Sequence, residues 1–254
     1  MIKKVYSSSR DLYNLSTKRV DFSAPKDTFD YRGLVVNKPW GYEYLLFENE
    51  SVAIWILHLK AGESTSLHCH PQKKTSLIVL SGEVQVSTLS DSFSFKQKEG
   101  LIIDKGVFHS SKALSPDGLF LMEIETPPNK TDLVRLKDEY GRQGKGYENV
   151  QQMSRDLSAY EYCDFHKLAK TGACCEQRDL LGICIKIVRG SITDICTRHL
   201  ADSSLISVCL LEGNIIDNQG GIIMGAGEAA EADYLLSKLV DIPKDGEYTL
   251  MIIR

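Results

Sequence analysis

From Asn37 onward the chain is written in short apolar runs, each closed by Gly, Pro, Asn, Asp or Ser. Val52-Ala-Ile-Trp-Ile-Leu-His-Leu59, Ser76-Leu-Ile-Val-Leu80, Glu83-Val-Gln-Val86, Phe93-Ser-Phe95, Leu101-Ile-Ile103 and Leu119-Phe-Leu-Met-Glu-Ile124 follow one another in this way. Runs of this length and spacing are strands of an all-β barrel or sandwich. The rhythm breaks over residues 127–160, where Pro127-Pro-Asn-Lys130 signals a linker and Gln152-Met-Ser-Arg-Asp-Leu157 is polar with helical potential. Strand signals return from Cys184, in Ile185-Lys-Ile-Val188, Asn214-Ile-Ile216, Gly221-Ile-Ile-Met224 and Tyr248-Thr-Leu-Met-Ile-Ile253.

Four segments are therefore expected. Residues 1–34 form a polar arm that packs on the core, residues 35–126 a barrel, residues 127–160 a linker or helical segment, and residues 161–254 a second, smaller β-unit. A weak repeat links the two units. In both, a strand ends at a glycine that opens the next strand: Gly82 in Leu80-Ser-Gly-Glu-Val84 and Gly213 in Leu211-Glu-Gly-Asn-Ile215.

With 254 residues, 43% of them hydrophobic, the chain can bury a core without crosslinks. Its seven cysteines are an odd number with no C-x-x-C pair, and several sit inside apolar runs, so they read as reduced thiols in a cytoplasmic protein. Thirty basic residues against 34 acidic ones give a net charge of −4, without the basic footprint that nucleic acid requires. The basic N-terminus has no apolar stretch behind it, and no run reaches the roughly 20 apolar residues of a membrane span. A soluble protein with neither a nucleic-acid nor a membrane partner is expected.

Six histidines are present, and three of them fall in two informative places. His68 and His70 stand two apart after a strand, so both imidazoles project to one face. His109 follows Gly106-Val-Phe108 after the next strand pair. Three imidazoles from adjacent strands can close on one ion, and neutral imidazole suits Zn, Fe, Ni or Cu. An isolated H-x-H pair is more often surface or core histidine than a metal ligand.

The segment Gly62-x5-His68-x-His70-x4-Thr75-x6-Gly82, followed by Gly100…Gly106-x2-His109, resembles the two-part signature of the cupin superfamily. The resemblance implies a double-stranded β-helix barrel, here a bicupin with a degenerate second barrel, and a metal held by His68, His70 and His109. The glutamate of that motif is Thr75 in this chain, and its proline is Asp104.

A narrower resemblance rests on Lys38-Pro-Trp-Gly-Tyr-Glu43, Ser66-Leu-His68, Leu80-Ser-Gly82, Leu121-Met-Glu-Ile-Glu125 and Asp132-Leu-Val-Arg…Tyr-Gly-Arg142. These blocks, in consistent order over residues 35–145, are similar to the cupin domain of type II mannose-6-phosphate isomerases. That family tends to place glutamine where His68 stands. The nucleotide-binding domain and phosphate loop of the guanylyltransferase often fused ahead of it are not present in this chain.

The resemblance implies a metal-dependent isomerase or epimerase acting on a sugar phosphate or nucleotide sugar in carbohydrate or surface-polysaccharide precursor metabolism. Its cofactor would be a divalent metal (Zn, Ni, Mn or Fe), and a homodimer would be possible. Arg135 and Glu43 are the catalytic candidates, with Arg142 and Lys73 contacting substrate. Bland roles stand beside these: Arg135 and Arg142 pairing with Asp132 and Asp138, Lys73-Lys74 as a solvated turn, and Glu43 satisfying buried backbone instead of acting as the base. Two other functions are kept open, a non-catalytic sugar-binding bicupin and a three-histidine iron dioxygenase.

Gly225-Ala-Gly-Glu-Ala-Ala230 fits a loose dinucleotide fingerprint but lacks the βαβ context, so a barrel turn is expected there. His166 and His199 are isolated and read as structural.

Overall fold

The computed structural model describes residues 2–18, 28–143, 147–167, 175–200, 207–244 and 246–254. The arm contributes β1 (Ile2–Val5) and α1 (Ser9–Ser16). The first unit then runs β2 (Val35–Lys38), β3 (Gly41–Glu48), β4 (Ala53–Leu59), β5 (Leu67–Cys69), β6 (Lys74–Ser81), β7 (Glu83–Thr88), β8 (Ser92–Lys96), β9 (Gly100–Ile103), β10 (His109–Ala113), β11 (Leu119–Thr126), β12 (Val134–Lys137) and β13 (Met153–Ser154). Two sheets face each other: an eight-stranded one in the order β1-β9-β6-β11-β4-β3-β2-β13, and a five-stranded one in the order β12-β5-β10-β7-β8. The arm joins the barrel edge, since β1 pairs in parallel with β9.

Segment 127–160 is not a linker, which corrects the expectation from its Pro-Pro dipeptide. It supplies β12 against β5 and β13 against β2, and so belongs to the walls of the barrel.

The larger sheet is apolar on both faces, which is why its strands read as continuous apolar runs. On β4, Trp55, Leu57 and Leu59 pack into the lumen, while Ile54 and Ile56 face outward. On β11, Leu119 and Leu121 point inward and Met122 and Ile124 outward. The period of two carries Glu123 and Glu125 inward as well, and Thr75 on β6 and Glu43 on β3 by the same alternation. The lumen thus has an apolar floor and a charged mouth.

The second unit runs β14 (Cys175–Leu180), β15 (Ile183–Ser191), α2 (Ile192–His199), β16 (Ser207–Leu210), β17 (Asn214–Ile216), β18 (Ile222–Gly225), β19 (Ala229–Glu231), α3 (Ala232–Lys238) and β20 (Glu247–Ile253). Its sheet order, β14-β15-β20-β16-β19, repeats β3-β4-β11-β6-β9 of the first unit, and the β17-β18 ribbon stands where β7-β8 stands. Gly82 and Gly213 open equivalent hairpins, and both adopt the left-handed backbone that favours glycine (φ 87° and 69°).

The two units differ at the positions of β5 and β10, which in the second unit are taken by α2 and α3. Sequence reading did not anticipate these helices. Ser191 caps α2 by accepting from the Asp194 amide, with Asp194 in the first turn and Arg198 and His199 in the last, an arrangement that suits the helix dipole. Ile192, Ile195 and Cys196 of α2, with Ala232 and Leu235 of α3, fill the space over the inner face of the sheet. The residues after Ala230 are therefore a helix and a closing strand, with β19 following the barrel turn at Gly225–Glu228.

The outer faces of the two five-stranded repeats pack against each other. Tyr44, Ile54, Ile56, Ile78 and Met122 from the first unit meet Ile185, Ile187, Cys209, Met251 and Ile253 from the second. At the edge of this contact Glu228 binds Lys74 at 2.9 Å and Lys4 at 3.0 Å.

The six cysteines among the described residues are free thiols, whereas Cys174 lies outside them. Among the described residues, no helix is long and apolar enough to cross a membrane.

Candidate metal centre

His68 lies on β5, His70 just beyond its end, and His109 opens β10, where it stands directly opposite His68 in the antiparallel ladder. Their ring centroids lie 4.5–5.5 Å apart, and one ring nitrogen of each is within 4.8 Å of those of the other two. His70 and His109 are buried, and His68 is half-buried at the chamber edge.

Every Nδ1 is engaged by a backbone carbonyl: Ser66 for His68 (2.8 Å), Asp132 for His70 (2.6 Å) and Val107 for His109 (2.9 Å). Carbonyls only accept, so Nδ1 carries the proton and each Nε2 keeps a lone pair. The Nε2 of His70 is buried with no hydrogen-bond partner. Three available lone pairs on nitrogens within 4.8 Å of one another leave room for a cation, and fixing the tautomer through the other nitrogen is how proteins orient metal-binding histidines. The donor set therefore fits a divalent metal held by His68, His70 and His109.

Two supports come from outside the barrel strands. Asp11, in the capping box of α1, accepts the Phe108 amide at 2.9 Å and so fixes the loop that leads into His109. Asp132 accepts the amides of Gln72 and Lys73, both at 2.9 Å, while its carbonyl orients His70. The S-x-x-D pattern at Ser8–Asp11 was a readable helix-capping signal. Its link to His109 lies 97 residues away and has no local signature.

Around the histidines, five cationic side chains (Lys38, Lys73, Lys130, Arg135 and Arg142) and three carboxylates (Glu43, Glu123 and Glu125) line a chamber of about 60 Å³. A second cavity of about 490 Å³ shares Lys38, Arg142 and Tyr147 with it.

Lys73 is 1% exposed and pairs with Glu125 at 2.7 Å, which overturns the solvated-turn reading. Arg135 stands opposite His68 in the β5-β12 ladder and lines the chamber, with Nη2 4.0 Å from Glu148. Arg142 binds Asp138 at 2.7 Å and Glu148 at 2.8 Å, so the expected Asp138 pair is present. The carboxylate of Asp132 serves the turn before β6 instead.

Glu43 accepts from the Tyr147 hydroxyl and lies 3.1 Å from Lys130 and 3.4 Å from Lys38. Burial pushes its pKa up, but Lys130, Lys38 and Tyr147 outweigh this and hold it down at about 2. Glu43, a catalytic candidate from the sequence, thus lines the chamber as a carboxylate held between two ammonium groups. Glu123 behaves oppositely: burial, with Glu125 beside it, carries its pKa upward although Lys130 and Lys73 pull it down.

Sequence reading missed Lys38, Lys130, Glu123, Glu125, Tyr147 and Glu148 as individual site residues, although several lie inside the blocks that carry the family resemblance. His166 and His199 join no such cluster among the described residues.

Burial depresses the pKa of His70 and His109, the latter to about 4 with the charge of Lys73 adding to it. Folding thus favours the neutral rings. That stability is fully present above the unfolded pKa near 6.5 and is lost as pH falls toward 4. In EDTA, urea unfolding is expected to cost less at pH 5 than at pH 7, by about 2 kcal/mol from His109 and with a further loss in the same direction from His70. A flat profile over that range would contradict the buried, neutral state of the cluster.

Two opposed sheets wrapping a lumen, with two histidines at one strand and a third on its neighbour, define a cupin. The family model described as mannose-6-phosphate isomerase C-terminal matches residues 30–138. The match covers less than half of the chain, and the remaining residues lie outside it.

Mannose-1-phosphate guanylyltransferase of Klebsiella pneumoniae is 24% identical over 128 residues, which is 49% of this chain and 27% of that protein. The xanthan biosynthesis protein XanB of Xanthomonas campestris is 27% identical over 109 residues, 42% of this chain and 23% of that one. The chain spans about a quarter of the length of these curated relatives. A solved double-stranded β-helix protein of Klebsiella pneumoniae aligns with a TM-score of 0.35 at 16% identity, over 38% of this chain and 84% of that one.

Proposed function

We propose that the protein is a metal-dependent cupin that isomerises a sugar phosphate, with Zn, Ni, Mn or Fe as its ion. The observation that carries this reading is the position of the three-histidine cluster, two of whose members, His68 and His70, line a chamber with five cationic side chains and three carboxylates. Such a chamber favours an anionic ligand beside a Lewis acid. The relatives named for mannose phosphates and for polysaccharide synthesis support the same substrate class.

Aldose–ketose exchange moves a proton between neighbouring carbons through an enediolate whose oxygen gains charge. A divalent ion held by His68, His70 and His109 would supply Lewis-acid stabilisation of that oxygen, worth several kcal/mol. The chain's own residues do the rest. Arg135 and Arg142 hold the phosphate toward the larger cavity, with Lys38 beside them. Glu125 takes the proton from one carbon and returns one to its neighbour: its Oε2 is buried with no hydrogen-bond partner, while Lys73 and Lys130 hold the other oxygen. Trp40 and Leu57 in the lining keep water away from the reacting carbons.

The test is turnover of mannose 6-phosphate by metal-loaded protein in heavy water, followed by NMR. Ketose phosphate that carries deuterium is expected. Arg135→Ala should raise KM by about ten- to a hundredfold, the worth of one charged hydrogen bond, with a smaller change in kcat. Thermal stabilisation by the sugar phosphate without product would identify a binding protein instead.

A further inference from the structure

The cupin motif places a carboxylate ligand at the position of Thr75, and this chain does not have one there. The Thr75 side chain is buried, and its hydroxyl finds no partner. We propose that Glu123, on the neighbouring strand β11, supplies the fourth ligand of the metal centre. This inference rests on the metal-dependent reading above.

The first ground is position. In the β6-β11 ladder Glu125 stands opposite Thr75 and Glu123 opposite Leu77, and both glutamates point into the lumen. Glu125 is committed to Lys73 and Lys130. Glu123 instead lies against the histidines, with Oε1 3.8 Å from the Nε2 of His70. Among the described ion pairs this is its one partner within 4.0 Å.

The second ground is the chemistry of that contact. The Nδ1 proton of His70 is spent on the Asp132 carbonyl, so its Nε2 presents a lone pair. Two acceptors facing each other repel unless something positive lies between them. A shared proton would draw them to about 2.6–3.0 Å. The observed 3.8 Å is too long for that, yet it lies inside the span of two donors on one ion, each at about 2.0–2.2 Å.

The third ground is charge. Lys73 is matched by Glu125 at 2.7 Å and Lys130 by Glu43 at 3.1 Å, so Glu123 is the lining carboxylate left to face a dication. A carboxylate in direct contact with the ion restores the balance that Thr75 cannot supply. The missing ligand has moved by one strand within the same sheet.

Cobalt(II) titration tests this without reference to turnover. Wild-type protein, Glu123→Gln and Glu125→Gln are stripped with chelator and titrated with Co²⁺, followed by calorimetry and visible absorption. Glu123→Gln should bind at least about tenfold more weakly and with a changed visible spectrum. Glu125→Gln should lose less affinity and keep the wild-type spectrum. Metal-free melting of Glu123→Gln close to wild type shows that the loss is not misfolding. Wild-type affinity and spectrum in Glu123→Gln would overturn the assignment and leave the metal-dependent reading standing. Equal losses and equal spectra in both variants would reduce Glu123 to a general charge effect and overturn it too. Failure of the wild-type protein to bind Co²⁺ would overturn both readings together.

Discussion

Lys130→Met is expected to destabilise the protein by about 3–5 kcal/mol, the cost of stranding buried charges. The Lys130 ammonium lies 3.1 Å from Glu43 and 3.4 Å from Glu125, with the Trp55 ring 3.7 Å from its nitrogen. Burial lowers its pKa, but Glu125, Glu43 and Glu123 outweigh that and carry it above the usual lysine range. Methionine keeps the aliphatic length and removes the charge. Glu43 and Glu125 would then face each other in a low-dielectric chamber with Lys38 and Lys73 as their remaining cations.

The deficit must depend on pH. In the wild type the depressed pKa of Glu43 contributes stability that is present above about pH 4.5 and lost as pH falls toward 2. The variant lacks much of that contribution, so the gap between the two proteins should be wide at pH 7 and narrow toward pH 3. Urea titrations at both pH values check this. A loss below about 1 kcal/mol at pH 7, unchanged at acid pH, would mean that the network is looser than the distances indicate.

The second large effect concerns the metal itself. His68→Ala with His109→Ala removes two of three ring donors. A four-ligand structural zinc site is worth about 10–16 kcal/mol, roughly 3–4 per ligand, so affinity should fall by about 10⁴-fold or more. Elemental analysis of protein purified without added metal should find near-stoichiometric ion in the wild type and none in the variant. Added Zn²⁺ should raise the melting temperature of the wild type only, because an ion that binds the folded state at a hundredfold over Kd adds about 2.7 kcal/mol. Equal metal contents in the two proteins would remove the histidine cluster from the mechanism.

Much of the first barrel was legible because its signals are local. Alternation on β4 and β11 and the H-x-H spacing before Thr75 are each visible within a few residues. What escaped reading depends on residues far apart. Lys130 sits in a Pro-Pro-Asn-Lys stretch that looks like solvated loop, and Trp55 and Glu43 enclose it from 75 and more residues away. Lys73 looks exposed until the carboxylates on β11 are known. Glu123 and Glu125 read as interruptions of an apolar strand, because nothing local says that the strand ends at a polar mouth.

The helices of the second unit escaped for another reason. Ser191-Ile-Thr-Asp194 is an adequate capping signal, but it was not read because it lies between strand runs of a unit expected to be β. The structure keeps the repeated sheet and puts helices where the first unit has the two strands of the histidine cluster.

That replacement sets different rules for sequence change in the two halves. Over the second sheet, Ile195 and Leu235 answer only to volume, so one aliphatic residue can stand for another as long as the space stays filled. In the first lumen, each ionic side chain is held by others of opposite sign, and a change at one position constrains its neighbours. Substitutions should therefore accumulate singly in the second half and in compensating groups in the first, within a chain whose two halves share one strand order.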